Sequence, residues 1–145
     1  MTEQTGSCMC GAVRFTARSI GGFGVCHCEQ CRRWTGSALF AATVPETDMV
    51  IAGGAVIRTF RSSAWASRAF CGVCGATLWY RFDQGRDGTG NYEVAIGLLD
   101  DAGALELERE IFADQQQDCW RLAGDHVRMT QAETLAKYGT QLEND

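Results

Sequence analysis

Apolar and polar residues alternate with a period of two along most of this chain, which places alternate side chains on opposite faces of a strand. The alternation is found in six segments: 12–17, 56–60, 67–70, 77–82, 92–98 and 105–112. A nearly continuous run of small apolar residues, 36–44, ends at Pro45 and is typical of a buried strand or of a loop that leads into one. The pattern therefore predicts seven or eight short strands.

One helix is predicted near the C-terminus. Thr130 and Glu133 have the spacing of a capping box, and Gly139 is suited to the position just after the last turn. Polar and glycine-rich stretches at 53–54, 83–91 and 100–103 predict turns between strands. The longest of them, 83–91, is interpreted as a hairpin connection, with a mobile lid as the alternative.

Length and charge exclude several classes of protein. The chain has 145 residues, which suits one domain over 1–145, and its net charge is −5. An acidic chain is a poor ligand for nucleic acid, and no apolar stretch approaches the roughly 20 residues that a membrane helix needs. Residues 1–6 are polar and include Glu3, unlike a secretory signal, so we expect a cytoplasmic protein.

Cysteine is the most informative residue type. There are eight cysteines, in a C-x-C pair, a C-x-C-x-x-C triplet, a C-x-x-C pair and a single position: Cys8 and Cys10; Cys26, Cys28 and Cys31; Cys71 and Cys74; and Cys119. In a reducing compartment such clusters indicate metal or redox chemistry rather than disulfides. The spacing therefore predicts metal binding.

The coordination chemistry of zinc limits how these cysteines combine. A structural zinc takes four ligands in a tetrahedron, and each of the two pairs can supply one edge of it. Joining the pairs gives one closed site and leaves the triplet for a second ion with a vacant fourth position. Alternatively Cys119, His27 or His126 closes the triplet. We interpret His27 as pointing away from the metal and Cys119 as a small buried core residue.

Three segments carry a resemblance to a known family: S-C-M-C-G-A-V-R-F at 7–15, C-H-C-E-Q-C-R-R-W-T-G-S at 26–37 and R-A-F-C-G-V-C-G-A-T-L at 68–78. They resemble the glutathione-dependent formaldehyde-activating enzyme family, which includes the centromere protein V domain. The resemblance runs from about residue 7 to about residue 120, and I-F-A-D at 111–114 with Trp120 is similar to the family's C-terminal signature. This chain looks like the compact form.

The resemblance implies a mainly β fold, a tent-like arrangement of small antiparallel sheets stapled by zinc, here with a short C-terminal helix. It implies two zinc ions per chain, the second of which can be partly empty. The structural ion falls to Cys8, Cys10, Cys71 and Cys74, and the catalytic ion to Cys26, Cys28 and Cys31. The activity implied is a carbon–sulfur lyase that forms S-(hydroxymethyl)glutathione from formaldehyde and glutathione.

The expected chemistry starts with a small-molecule thiol such as glutathione at the open zinc, where its pKa falls and the thiolate attacks an aldehyde. Arg32 is the candidate for binding the substrate's carboxylates, and Arg33 is either a second one or a solvated charge. Trp34 and Phe40 are expected in core packing rather than in the pocket wall, and His27 as a satisfied histidine rather than a general acid. The rival functions are a non-catalytic zinc-binding module, a thiol carrier and a redox sensor.

Overall fold

The computed structural model describes residues 2–82 and 90–138. Within them the chain forms two α-helices, α1 (Glu29–Thr35) and α2 (Gln131–Tyr138). It also forms eleven strands: β1 (Thr2–Ser7), β2 (Arg14–Ile20), β3 (Phe23–Cys26), β4 (Leu39–Val44), β5 (Met49–Ala52), β6 (Ile57–Arg61), β7 (Ala66–Cys71), β8 (Thr77–Phe82), β9 (Tyr92–Ala95), β10 (Leu107–Ile111) and β11 (Val127–Arg128). The prediction of a mainly β chain is confirmed.

The strands form two sheets. The smaller has the order β1-β2-β5, and the larger has the order β11-β10-β3-β4-β9-β8-β7-β6. Strand β10 pairs in parallel with both β3 and β11, whereas the other pairings of the described strands are antiparallel. The expectation of antiparallel sheets is therefore incomplete. Alternation along a strand fixes its faces but not the direction of its neighbour, which depends on the connecting chain.

The larger sheet is covered on both faces along β4. Ala42 and Val44 pack into a core that includes β2, where Phe15 and Trp79 meet edge to face with ring centroids 5.8 Å apart. Leu39 and Ala41 belong to a second buried cluster on the opposite face. Strand β4 is therefore apolar except at Thr43, because both of its faces are covered over most of its length.

Helix α1 is absent from the sequence-based prediction. Cys28 caps its first turn by accepting a hydrogen bond from the Cys31 backbone N–H at 3.4 Å, and Gly36 ends it in the left-handed conformation with φ of 79°. A helix of seven residues is too short to show the periodicity of an amphipathic helix. Only the cap residues could have indicated it.

Helix α2 confirms the predicted capping box. The Glu133 N–H donates to Thr130 Oγ1 at 3.2 Å, and the Thr130 N–H donates to Glu133 Oε1 at 3.1 Å. Gly139 and most of the 83–91 connection lie outside the described residues. Neither described helix is long and apolar enough to cross a membrane.

Candidate metal centres and the cavity at the three-cysteine group

The sulfur atoms of Cys8, Cys10, Cys71 and Cys74 all lie within 4.8 Å of one another. Cys8 Sγ is 3.6 Å from Cys10 Sγ, which in turn is 3.9 Å from Cys71 Sγ. A tetrahedral zinc with bonds of about 2.3 Å has sulfur–sulfur edges of about 3.8 Å. The donor set of this four-cysteine group therefore fits a closed tetrahedral zinc site.

Two turns from different sheets bring these sulfurs together. Cys8 follows β1 of the smaller sheet, and Cys71 ends β7 of the larger one. Backbone N–H groups point at the sulfurs: Val13 N lies 3.3 Å from Cys8 Sγ, and Cys74 N lies 3.4 Å from Cys71 Sγ. A metal bound here would cross-link the two sheets.

Cys26, Cys28 and Cys31 form the second group, and their sulfur atoms also lie within 4.8 Å of one another. Cys26 is the last residue of β3, Cys28 caps α1, and Cys31 is the third residue of that helix. In a capping box the side chains at these two helix positions turn toward each other. The cap of α1 therefore explains why Cys28 and Cys31 converge, and the end of β3 adds the third sulfur.

The three sulfurs of this group differ in pKa. The pKa of Cys28 is lowered to about 3 because Cys26 and Cys31 donate hydrogen bonds to its thiolate. The pKa of Cys26 is raised well above its ordinary value by its hydrogen bonds with Cys28 and Cys31 and by burial. The metal-free group thus holds one thiolate between two thiols. A divalent cation would replace those two protons.

A cavity of about 300 Å³ opens onto the three-cysteine group. Its wall is one face of the larger sheet together with the end of α2, and aromatic side chains supply much of it: Tyr80, Phe82, Phe112 and Tyr138. Three charged residues among the described ones also line it: Arg68, Glu93 and Arg109. The four-cysteine group does not contribute to this lining. A small molecule bound in this cavity would therefore reach the three-cysteine group and not the four-cysteine group.

Arg68 is a buried cation in contact with the three-cysteine group. It is 3% exposed, and its Nη1 donates to Cys31 Sγ at 3.4 Å while Nη2 donates to Gln30 Oε1 at 3.3 Å. Its guanidinium carbon lies 5.1 Å from the ring centre of Trp34 and 5.0 Å from that of Tyr80. Burial lowers the pKa of Arg68, but its contact with Cys31 and the nearby Cys28 thiolate outweigh burial and raise the pKa, so this side chain stays charged.

Behind the three-cysteine group, Glu110 is fully buried at the centre of an ion network. Its Oε1 lies 2.6 Å from His27 Nε2, and its Oε2 contacts His126 Nε2 and, at 2.6 Å, Arg128 Nη1. Burial raises the pKa of Glu110, but the hydrogen bonds from His126 and His27 and the charge of Arg128 outweigh it and lower the pKa. His27 therefore faces Glu110 through Nε2 and stays outside the three-cysteine group, as expected, while its buried Nδ1 has no hydrogen-bond partner among the described residues.

The other residues that the sequence analysis singled out lie outside the cavity lining. Arg32 is half-buried and is not among the described residues that line the cavity, and Arg33 is exposed and pairs with Glu29 at 3.1 Å. Phe40 stacks on Phe23 with centroids 6.1 Å apart, and Trp34 lies against Arg68, so packing accounts for both rings.

Cys119 requires a correction. It is exposed, so its interpretation as a buried core residue is wrong. It lies in an irregular stretch between β10 and β11 and is not part of any described strand. Neither it nor His126 joins the three-cysteine group within the described residues. The triplet is therefore not closed by any of the alternatives considered for it.

Arg68, Arg109 and Glu110 are the residues that the sequence analysis did not single out. Arg68 lies between Ser67 and Ala69 in β7, and a charged residue in a short strand is typical of a surface position. Glu110 gave no signal either, because it falls on a polar position of the alternating segment 105–112, L-E-L-E-R-E-I-F, which is typical of a solvent-facing residue. Arg109 gave no signal, because its orientation depends on an irregularity in the pairing of β10 with β3.

Comparison with known proteins agrees with this geometry. The chain is 27% identical over 136 residues to an uncharacterized lyase of Schizosaccharomyces pombe, covering 93% of this chain and 96% of the relative. The crystal structure of a Rhodobacter sphaeroides protein shares the fold, with a TM-score of 0.57, 24% identity and coverage of 87% of this chain and 99% of the other. Residues 3–115 match the family model described as glutathione-dependent formaldehyde-activating enzyme, and this chain belongs to that family.

Proposed function

We propose that this protein is a zinc-dependent carbon–sulfur lyase that acts on the adduct of a small aldehyde, such as formaldehyde, with a thiol of the glutathione type. In this proposal Cys8, Cys10, Cys71 and Cys74 hold a structural zinc, and Cys26, Cys28 and Cys31 hold a second zinc with an open position. The observation that carries the proposal is the placement of the three sulfurs at a cavity of about 300 Å³, with no fourth protein ligand among the described residues.

Family membership supports the reaction class, and the S. pombe relative is itself named a lyase. When bound, the second zinc supplies a coordination position at which a thiol loses its proton. The thiol's sulfur then forms a bond to the carbonyl carbon of the aldehyde, and the carbonyl oxygen takes up a proton. The lyase direction breaks the same carbon–sulfur bond and returns the thiol and the aldehyde.

Arg68 has a specific part in this proposal. Three thiolates and a dication leave a net charge of −1, and a substrate thiolate would raise it to −2. Arg68 donates to Cys31 from within the buried cluster and offsets one of these charges. The rings of Trp34 and Tyr80 pack against the guanidinium and hold it in place. Arg68 therefore does not have to move in order to offset the added charge when the substrate binds.

The test is the exchange of isotopically labelled formaldehyde into S-(hydroxymethyl)glutathione, followed by NMR with zinc-loaded protein. We expect exchange faster than the uncatalysed rate, and a return to the uncatalysed rate in Cys28→Ser. Arg33→Gln, which changes an exposed residue away from the cavity, is the matched control and should keep the full acceleration. Thiol binding without any acceleration would contradict the lyase and indicate a thiol carrier.

A further inference from the structure

The cavity lining contains a cation that is only weakly paired within residues 2–82 and 90–138. Arg68 is engaged by Cys31 and Gln30, and Glu93 accepts hydrogen bonds from Thr43 Oγ1 at 2.8 and 3.0 Å. Arg109 has one ion-pair partner in the described part of the chain, Glu108, whose Oε1 lies 3.9 Å from Arg109 Nη1. That distance is at the limit for an ion pair and beyond that of a hydrogen bond. The guanidinium of Arg109 therefore has donors available to a ligand.

A β-bulge turns Arg109 into the cavity. Leu107 is paired with Phe23, but the next pair is Arg109 with Gly24, so Glu108 is the extra residue in β10. Ile111 is then paired with Cys26. Alternate residues of a strand share a face, so Arg109 and Ile111 face the cavity together with Gly24 and Cys26, as their place in its lining shows. Without the bulge the carboxylate of Glu108 would be opposite Gly24.

The Arg109 side chain lies over Gly24. A Cβ built on Gly24 would lie 3.5 Å from Arg109 Cγ and 3.7 Å from Arg109 Cζ, which is ordinary van der Waals contact. Two residues of a strand span about 7 Å, which is the distance along β3 from Gly24 to Cys26. A ligand that bridges the two points needs a thiol at one end and an anion a few bonds away.

We propose that Arg109 is a specificity-determining residue that binds the carboxylate of a thiol substrate whose sulfur lies at the three-cysteine group. This inference rests on the proposed function, and it adds which residue recognises the carboxylate of the thiol. It also moves the carboxylate site from Arg32 to Arg109. An Arg–carboxylate contact is bidentate and charge-assisted, so it discriminates against a thiol that carries an uncharged hydroxyl at the same place.

The experiment uses the full chain loaded with cobalt and compares two thiols of equal length, 3-mercaptopropionate and 3-mercapto-1-propanol. The absorption of cobalt reports the dissociation constant of each thiol, independently of turnover. We expect the carboxylate thiol to bind about tenfold more tightly to the wild-type protein at low salt. In Arg109→Gln that preference should disappear while the affinity for the alcohol stays the same, and Arg109→Lys should keep part of it.

The controls separate this inference from the proposed function. Arg33→Gln should leave the preference unchanged, since Arg33 pairs with Glu29 outside the cavity. If Arg32→Gln removes the preference and Arg109→Gln does not, the inference is overturned in favour of Arg32. If the wild-type protein binds both thiols equally, the proposed carboxylate site is wrong but the proposed function is not contradicted. If neither thiol changes the cobalt spectrum, the open site and the proposed function fail together.

Discussion

The two cysteine groups of this chain differ in what supports them. The four-cysteine group is made by turns from two different sheets, and backbone N–H groups supply the contacts to its sulfurs that the structure shows. The three-cysteine group has one such backbone contact, from the Cys31 N–H to Cys28 Sγ, and is otherwise supported by side chains, with Arg68 in contact with Cys31 and the Glu110 network behind His27. We infer that metal organises the chain at the first group and that the chain is organised to receive metal at the second.

The largest expected effect concerns stability. Structural zinc contributes on the order of 10 kcal/mol to the folding of small zinc domains, comparable to the whole stability of a typical domain. We therefore expect Cys71→Ser to leave the chain largely unfolded in circular dichroism and thermal melts. Cys28→Ser should remain folded with a Tm within about 5 °C of wild type, because serine is a good helix cap and the change replaces a single atom of one buried side chain.

Cys71→Ser and Cys28→Ser are controls for each other, because each removes one sulfur from a buried cysteine. Equal loss of stability in the two variants would contradict the difference in support between the groups.

The second effect tests the Glu110 network. Removing one partner from a buried ion pair costs about 3–5 kcal/mol, so Glu110→Gln should be less stable than wild type at pH 7 by an amount of this order. The pKa of Glu110 is lowered in the folded chain, so the network's contribution is present above the unfolded pKa of about 4.3 and is lost as the pH falls through the folded value. The difference in Tm between the two proteins should therefore shrink on acidification.

Glu108→Gln provides the matched control, since Glu108 is adjacent in sequence and its side chain is exposed. It should change the Tm little at any pH. A Glu110→Gln difference that stays constant or grows as the pH falls would show that Glu110 does not act through its charge.

A smaller effect is expected at Arg68. Residues that contact metal ligands typically contribute about 10- to 100-fold to metal affinity. Arg68→Gln should weaken cobalt binding at the three-cysteine group by about this factor and leave the four-cysteine group unchanged, as measured by competition with a chelator. Arg58→Gln, at an exposed position of β6 beside the C-x-x-C turn, should change neither affinity. Equal weakening of both groups by Arg68→Gln would indicate a structural role only.

The sequence predicted the members of the two cysteine groups better than it predicted the residues around those groups. Cysteine spacing and coordination number together predict the two groups that the structure brings together, because four ligands close a tetrahedron and three do not. Alternation predicted most strands, and the apolar run at 36–44 is a loop that leads into β4, which was one of the two interpretations of it. Strand β1 was missed because it is at the edge of the smaller sheet and its residues are mostly polar.

The residues around the cavity depend on long-range contacts that a sequence pattern does not contain. Arg68 reaches Cys31 across 37 positions, and Glu110 reaches His27 across 83. Arg109 faces the cavity because of a bulge one residue before it, whereas Arg32 is adjacent to a cysteine in sequence but does not line the cavity. Proximity to Cys31 along the chain was therefore a poor guide to proximity in space.

The central claim is that one group is saturated and the other has a vacant position. Cadmium NMR of the fully loaded protein tests it most directly, because the cadmium shift reports the number of bound sulfurs. We predict two resonances of equal area, and on addition of 3-mercaptopropionate the resonance lost in Cys28→Ser should move toward the other, which stays in place. A single resonance, or two resonances that both ignore the thiol, would contradict the account.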